Sequence, residues 1–159
     1  MLFRLLLALS FIGLAACSGG GSSADYVRAP DIDFECDSIQ SSHCDSNAVG
    51  KTVYMGLTTD LNFDCESEVY NLDPLLFVAT FDYSGAATVQ NGGTYVWGVV
   101  TQWVNRSGGK TLQFEDTDYK ICAFLDDNDN GRLDGFESLA EQSFNPSASF
   151  YPVSSWIQL

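Results

Sequence analysis

Acidic and amide side chains alternate along residues 126–137, which read DDNDNGRLDGFE. The sixth residue of this run is a glycine, which permits a sharp turn of the backbone. Calcium takes about six to eight hard oxygen ligands, and a tight loop can aim alternate side chains inward to supply them. The run therefore predicts a site for one structural Ca²⁺ ion. The candidate ligands are Asp126, Asn128, Asn130, the Arg132 carbonyl, Asp134 and Glu137.

The spacing of these residues fits D-x-[DN]-x-[DN]-G-x₅-E at every fixed position. The loop resembles an EF-hand calcium loop. That resemblance implies a turn at Gly131, a ligand at Asp134 that binds directly or through water, and two ligand oxygens from Glu137. Leu133 is expected to anchor the loop in the core. The alternative is an ordinary Asn/Asp/Gly turn whose acidic side chains are only solvated.

The setting of the loop differs from that of an EF-hand. Residues 119–125, YKICAFL, alternate like a strand and not like an amphipathic entering helix. A strand that runs directly into such a loop resembles the calcium loops of secreted bacterial β-sandwich domains of the prealbumin-like or carboxypeptidase-regulatory-like kind. The resemblance covers residues 50–159 and is specific over 119–137. It implies an ion that pins a loop, and it implies no catalysis.

The elements that position the loop follow a period of two residues, as in Val53, Met55 and Leu57. Short apolar runs are separated by Gly, Ser and Asn clusters, which is typical of an antiparallel sheet. We therefore predict an all-β fold, an antiparallel β-sandwich in one domain with one EF-hand-like calcium loop between strands. Residues 132–142 could form a brief helical turn. Further strand-like runs are residues 75–83, 94–104, 119–125 and 150–159.

The first residues of the chain have the features of a targeting segment. Residues 1–16 contain one arginine, an apolar run of about ten residues and a small-residue end. The sequence Leu-Ala-Ala-Cys that ends at Cys17 resembles the lipobox of bacterial lipoproteins. This resemblance implies a lipoprotein signal peptide over 1–16 and a mature chain whose first residue, Cys17, carries acyl groups such as palmitate. In that family an Asp directly after the cysteine is associated with retention in the inner membrane, so the resemblance with Ser18 at this position implies the outer membrane.

Domain boundaries follow from these segments. Residues 17–30 are assigned to the lipidated cysteine and a flexible Gly/Ser tether, and residues 31–159 to the β-sandwich domain. The tether begins SGGGSSA after Cys17 and has few side chains that could pack. We therefore expect a folded head that stands off a membrane to which only its lipid is attached.

Four cysteines remain after Cys17, and an even number in an exported chain indicates two disulfides. Three connectivities are available. We favour the bond Cys36–Cys44, which closes a local loop, together with Cys65–Cys122, which ties the end of one strand to another strand. A zinc site at Cys36, His43 and Cys44 is the alternative, but exported thiols are usually oxidised and the sequence contains no C-x-x-C pair.

The formal net charge of −14 excludes a nucleic-acid binder, which needs clustered Lys and Arg. The same charge excludes a protein held on anionic lipid by a basic surface. The sequence contains no P-loop, G-x-S-x-G, H-E-x-x-H or dinucleotide fingerprint, so no catalytic residues are assigned and no enzyme is expected.

The expected function is that of a lipid-anchored cell-envelope protein, a binding or structural module whose partner is an envelope protein or glycan. Tyr95, Trp97 and Trp103 share one strand parity and could form a platform for sugar rings. Aromatic residues at this period are more often part of a sandwich core. The alternative function is an envelope glycan-acting enzyme that uses a pair of acidic side chains.

Overall fold

The computed structural model of the protein describes residues 24–36, 44, 46–93 and 95–159. The predicted signal peptide, the lipidation site Cys17 and the lone histidine His43 lie outside the described residues. The described strands are β1 (Tyr26–Arg28), β2 (Ile32–Cys36), β3 (Thr52–Thr58), β4 (Tyr83–Thr88), β5 (Gln90–Asn91), β6 (Val96–Val100), β7 (Trp103–Asn105), β8 (Lys110–Thr111), β9 (Gln113–Glu115), β10 (Tyr119–Asp126), β11 (Ser138–Phe144) and β12 (Trp156–Gln158). The helices are a 3₁₀ turn (Ser46–Ala48), α1 (Cys65–Val69) and α2 (Pro74–Thr80).

The strands form a large antiparallel sheet and two smaller ones. The large sheet has seven strands in the order β12-β11-β10-β3-β4-β7-β8. A three-stranded sheet, β2-β6-β5, packs against it, and β1 pairs with β9. All strand pairs within these sheets are antiparallel. The prediction of an all-β antiparallel sandwich is therefore confirmed.

Strand β10 lies inside the large sheet and is buried on both faces. Successive side chains point to opposite faces, so they enter two different hydrophobic cores. Ile121, Ala123 and Leu125 face the main core between the two larger sheets. Cys122 and Phe124 face a second core under the helices α1 and α2. The seven-stranded sheet therefore carries a sheet on one face and helices on part of the other. Burial on both faces explains why this strand is apolar at nearly every position.

Two disulfides connect these layers, and both predicted pairings are confirmed. Cys36–Cys44 closes a loop of sequence separation 8 after β2. Cys65–Cys122 spans a separation of 57 and joins the first residue of α1 to the central strand β10. Closing the longer loop restricts the unfolded chain more, and the chain-entropy model gives about 4 kcal/mol of stabilisation for it.

The prediction of a strand over residues 75–83 is wrong, because most of this segment forms α2. The Asp73 carboxylate accepts a hydrogen bond from the Leu75 backbone N–H at 2.9 Å, and Pro74 occupies the first turn of the helix. Both features are strong signals for the start of a helix. This local capping outweighs the strand preference of the residues that follow. The buried side chain of α2 is Phe77, while Leu75 is 81% exposed.

Three other boundaries differ from the sequence-based ones. Residues 94–104 do not form one strand, since β6 and β7 belong to different sheets and the chain changes sheets at residues 101–102. Trp97 and Trp103 are therefore not on one strand, and Trp103 is in the main core. The helical turn proposed for 132–142 is absent, because β11 begins at Ser138. Strand β1 lies inside residues 17–30, which the sequence assigned to the tether.

Candidate metal centre

The acidic loop closes a hairpin between two neighbouring strands of the large sheet, β10 and β11. Strand β10 ends at Asp126 and β11 begins at Ser138, and the two strands pair through Phe124 and Leu139 near the loop. Strand β3 pairs with β10 up to Asp126 on its other side. The first predicted ligand is thus fixed by the ladder, and the last, Glu137, directly precedes the next strand.

Two buried carboxylates hold the loop by accepting backbone hydrogen bonds. Asp126 accepts from the N–H groups of Asn130 at 3.0 Å and Gly131 at 2.7 Å. Glu137 accepts from Asp127 N at 2.8 Å through Oε1 and from Asp134 N at 2.9 Å through Oε2. Asp126 and Glu137 are only 2% and 4% exposed. Each carboxylate therefore spans the loop with both of its oxygen atoms.

The other predicted side-chain ligands are Asn128, Asn130 and Asp134, and they contact one another at a single oxygen atom, Asp134 Oδ2. The side-chain amides of Asn128 and Asn130 donate to Asp134 Oδ2 at 2.7 and 2.6 Å. A half-turn of each terminal amide torsion exchanges its nitrogen and oxygen, which differ little in shape. The same two side chains can then direct oxygen atoms at the place where they now direct N–H groups, at the cost of the hydrogen bonds that their Oδ1 atoms accept from the backbone N–H groups of Asn130 and Arg132. The structure brings together three of the predicted ligands here.

The backbone of the loop confirms the predicted turn and the predicted anchor. Gly131 has φ +75°, a conformation that favours glycine. Asp129 also has a positive φ, at 60°. Leu133 is fully buried in the second core. Arg132 donates its backbone N–H to Asn130 Oδ1 at 2.7 Å, and its guanidinium group reaches Asp73 at 3.2 Å.

The electrostatics of the loop disfavour an anionic Glu137. Burial is the largest cause and raises the pKa of Glu137, and the charge of Asp126 acts in the same direction. Backbone N–H groups of Asp134, Asp127 and Asn128 oppose this rise. Within the described residues, the ion pairs of the protein involve neither Asp126 nor Glu137. Among the described residues, these two carboxylates therefore accept hydrogen bonds from neutral backbone N–H groups and form no ion pair with a basic side chain.

The donor chemistry fits a divalent cation that prefers oxygen. Carboxylates, side-chain amides and a backbone carbonyl are the ligands of Ca²⁺, whereas Zn²⁺ prefers nitrogen and sulfur. Among the described residues, no three His, Cys, Asp or Glu side chains already converge in a metal-binding arrangement. The carboxylate oxygens instead accept N–H groups. Binding of an ion therefore requires the Asn128 and Asn130 amides to turn, while Asp126 and Glu137 are already fixed.

The loop is also attached to helix α2, which the sequence did not indicate. The Asn71 N–H donates to the Leu133 carbonyl at 2.8 Å just before α2. A Cβ atom at Gly131 would lie 2.9 Å from the ring of Pro74, the first residue of α2. The Arg132–Asp73 ion pair reinforces this contact at the exposed surface. The position of α2 and that of the loop are consequently linked.

A groove of about 680 Å³ lies beside α2 and has no counterpart in the sequence-based prediction. It lies over β4, β7 and β8, the end of the large sheet that the helices leave uncovered. The described residues that line it are mostly apolar and include no carboxylate. The sequence pattern does not reveal it, because that pattern predicts a strand and not a helix over residues 75–83. The helix-start signal of Asp73 and Pro74 is the feature of the sequence that indicates α2, which forms one wall of this groove.

A smaller cavity of about 350 Å³ contains two acidic side chains, Asp82 and Glu115. Asp82 is already engaged, since it accepts from the guanidinium of Arg106 at 2.8 Å and from the Thr59 backbone N–H at 2.7 Å. Burial, as the largest cause, raises the pKa of the neighbouring Tyr119 hydroxyl. The cavity is thus built around an ion pair and not around two free carboxyl groups.

No protein family model, curated protein or solved structure matches this chain. In the part of the chain that the structure describes, no helix is long and apolar enough to cross a membrane.

Proposed function

We propose that this protein is a lipid-anchored cell-envelope protein whose β-sandwich is stabilised by one structural Ca²⁺ ion and which serves as a binding or structural module. The single observation that supports the calcium site most strongly is the pair of buried carboxylates, Asp126 and Glu137. Both accept only backbone N–H groups in the contacts of the loop. Burying a charge without a partner is costly, and a bound cation removes that cost.

The ion would be held by Asp126, Asn128, Asn130, the Arg132 carbonyl, Asp134 and Glu137. Bound there, Ca²⁺ would supply a positive charge at the end of the β10–β11 hairpin, without chemistry on a substrate. The chain's own residues then connect the hairpin to α2 through Arg132 and Asp73. Loop and helix are expected to become more stable together, while the sheets remain as they are.

The calcium part of the proposal is tested by thermal unfolding of the full chain with calcium or with excess EDTA. With an affinity of about 10⁻⁴–10⁻³ M, as in extracellular modules, a tenfold excess of calcium adds about 1.4 kcal/mol. For a chain of this size we expect the melting temperature to rise by about 3 °C. Magnesium serves as the control and should have less effect, because it holds its water ligands and demands octahedral geometry. Identical melting curves in calcium and EDTA would leave the solvated turn as the explanation.

The anchoring part of the proposal depends on the lipobox that ends at Cys17. We expect Cys17→Ala to abolish incorporation of labelled palmitate and to release the protein from the membrane fraction. The effect should be complete, because two or three acyl chains provide nearly all of the membrane affinity. Changing the neighbouring Ser18→Ala is the matched control and should leave palmitate labelling intact. Label that persists on Cys17→Ala would refute the anchor.

A binding module is favoured over the alternative, an envelope glycan-acting enzyme with an acidic pair. Such an enzyme needs two available carboxyl groups in a cleft. In the part of the chain that the structure describes, the larger groove has no carboxylate in its lining, and in the smaller cavity Asp82 is paired with Arg106. The envelope protein or glycan that would be the partner is defined by neither cavity.

A further inference from the structure

The groove beside α2 is formed where the two helices leave the large sheet uncovered. Helix α2 provides one wall, and its Leu75 is 81% exposed. The segment after β8 provides the opposite wall, where Leu112 is also 81% exposed. A volume of about 680 Å³ lies within the range of natural small-molecule sites. Two leucines this exposed on facing walls indicate that an apolar molecule belongs between them.

The floor of the groove carries a row of three side chains across neighbouring strands. Ser84 on β4 pairs with Val104 on β7, and Val104 pairs with Lys110 on β8. Residues directly opposite in adjacent strands lie on the same face, so these three line one stretch of floor. Two strand spacings separate the ends of this row by about 10 Å. The row thus runs from a hydroxyl, over an apolar residue, to an ammonium group.

Both polar ends of the row are hydrogen-bond donors that the described residues leave without a partner. Ser84 is 3% exposed, and its hydroxyl has no hydrogen-bond partner. Lys110 is the one charged residue among the described residues of the lining. The described lysines at 51 and 120 form ion pairs with Asp129 and Glu141, whereas Lys110 forms none with a described residue. A buried unpartnered hydroxyl is costly and uncommon in folded proteins, so it requires an explanation.

We propose that this groove binds a free amphipathic carboxylate of the long-chain fatty-acid class. The apolar chain would lie between the α2 wall and Leu112, and the carboxylate would accept from Lys110. A carboxylate is an acceptor-only group, which suits the two donors at the ends of the row, the Lys110 ammonium and the Ser84 hydroxyl. The Lys110 stem is long and flexible, so its ammonium can move along the row toward Ser84. The protein's own negative charge acts on the anion mainly at long range, where salt screens it.

The test uses the full chain in its native membrane and a photoactivatable long-chain fatty acid as the probe. After irradiation, mass spectrometry locates the adducts along the chain. We expect them on the two walls of the groove, on residues such as Leu75, Val78 and Leu112. Adducts confined to residues outside the groove would overturn the proposal. Leu112→Glu should lower labelling about tenfold, because it places a charge where an apolar chain lies. Leu61→Glu changes an exposed leucine outside the lining and should have no effect.

The role of Lys110 is tested by removing the charge first from this side chain and then from the carboxylate of the probe. With limiting probe, Lys110→Met should lower labelling about two- to fivefold, as expected for an exposed charge pair, and Lys110→Arg should preserve it. The methyl ester of the probe should label the native chain as weakly as the free acid labels Lys110→Met. Lys120→Met removes a lysine outside the groove and should change nothing. Equal labelling by acid and ester, or by Lys110→Met and the native chain, would refute a carboxylate at this site.

The chain's own lipid is the competing occupant of the groove. Strand β1, which follows the tether, leads to Ala29, whose N–H donates to the Leu112 carbonyl at 2.9 Å. The Cys17→Ala chain separates the two occupants when it and the native chain are both purified and labelled in the same mild detergent, because the variant is expected to leave the membrane. Unchanged labelling of the groove in this variant supports a free ligand. A severalfold increase would mean that the anchor's acyl chain fills the groove, and it would overturn the proposal without affecting the calcium site.

Discussion

Two turns of this protein are held by the same kind of contact but differ in charge. In the turn after β7, Asn105 Oδ1 accepts from the backbone N–H groups of Ser107 at 3.1 Å and Gly109 at 3.0 Å. In the acidic loop after β10, Asp126 accepts in the same way from Asn130 and Gly131. A side-chain oxygen thus organises both turns by satisfying backbone donors.

The comparison shows which property of the acidic loop goes beyond turn formation. A neutral amide is enough to organise the turn at Asn105, which lies at the surface. Asp126 and Glu137 do the same at 2% and 4% exposure, and each carries a charge that the turn does not need. Buried charges without a basic partner are destabilising, and this is the cost that the proposed cation would remove. Hydrogen bonds explain the shape of the acidic loop, and its excess of charge is what the calcium proposal addresses.

Removing the organising oxygen from each turn is the strongest way to test this difference. In calcium-containing buffer, Asp126→Ala should lower the free energy of unfolding by about 3 kcal/mol, because buried N–H groups lose their acceptor and the ion loses a ligand. Asn105→Ala should cost about 1 kcal/mol, since water replaces the amide at the surface. Urea unfolding of the two full-length variants measures both values. Equal losses would mean that the two turns do not differ in the way proposed.

A matched pair of glycines tests the attachment of the acidic loop to α2. Gly131 and Gly108 have φ values of +75° and +81°, so alanine is strained at both, by about 1 kcal/mol. A Cβ at Gly131 would meet Pro74 at 2.9 Å, whereas one at Gly108 would meet nothing within 4 Å. Gly131→Ala should therefore cost about 2 kcal/mol and Gly108→Ala about 1 kcal/mol in the same unfolding measurement. A loss at Gly108→Ala as large as at Gly131→Ala would show that the helix does not restrain the loop.

The sequence predicted the parts of this fold that depend on alternation and on local spacing. The faces of β10, the burial of Leu133 and the turn at Gly131 all follow from neighbours along the chain. Both disulfide pairings were also predicted, although Cys65 begins helix α1 and not the end of a strand as expected. Calcium binding stays a prediction, because the same Asp, Asn and Gly residues can form either an ordinary turn or an ion site.

The sequence failed where a local signal competed with a strand pattern. Asp73 and Pro74 directly precede the predicted strand at 75–83, although together they cap and begin α2. The groove could not be predicted, because its floor depends on the pairing of Ser84, Val104 and Lys110 across three strands. Such pairings are not local in sequence. They depend on register, which is fixed only when the whole sheet is assembled.

The most direct test of the central claim is a calorimetric calcium titration of the full chain in mild detergent, with Glu137→Gln as the matched variant. Glutamine keeps the size of the side chain but removes one charge and one of the two carboxylate oxygens. We predict one calcium ion per native chain at an affinity of about 10⁻⁴–10⁻³ M, and binding at least about tenfold weaker in Glu137→Gln. No heat of binding in the native chain, or the same affinity in both chains, would contradict a calcium site in the loop between β10 and β11.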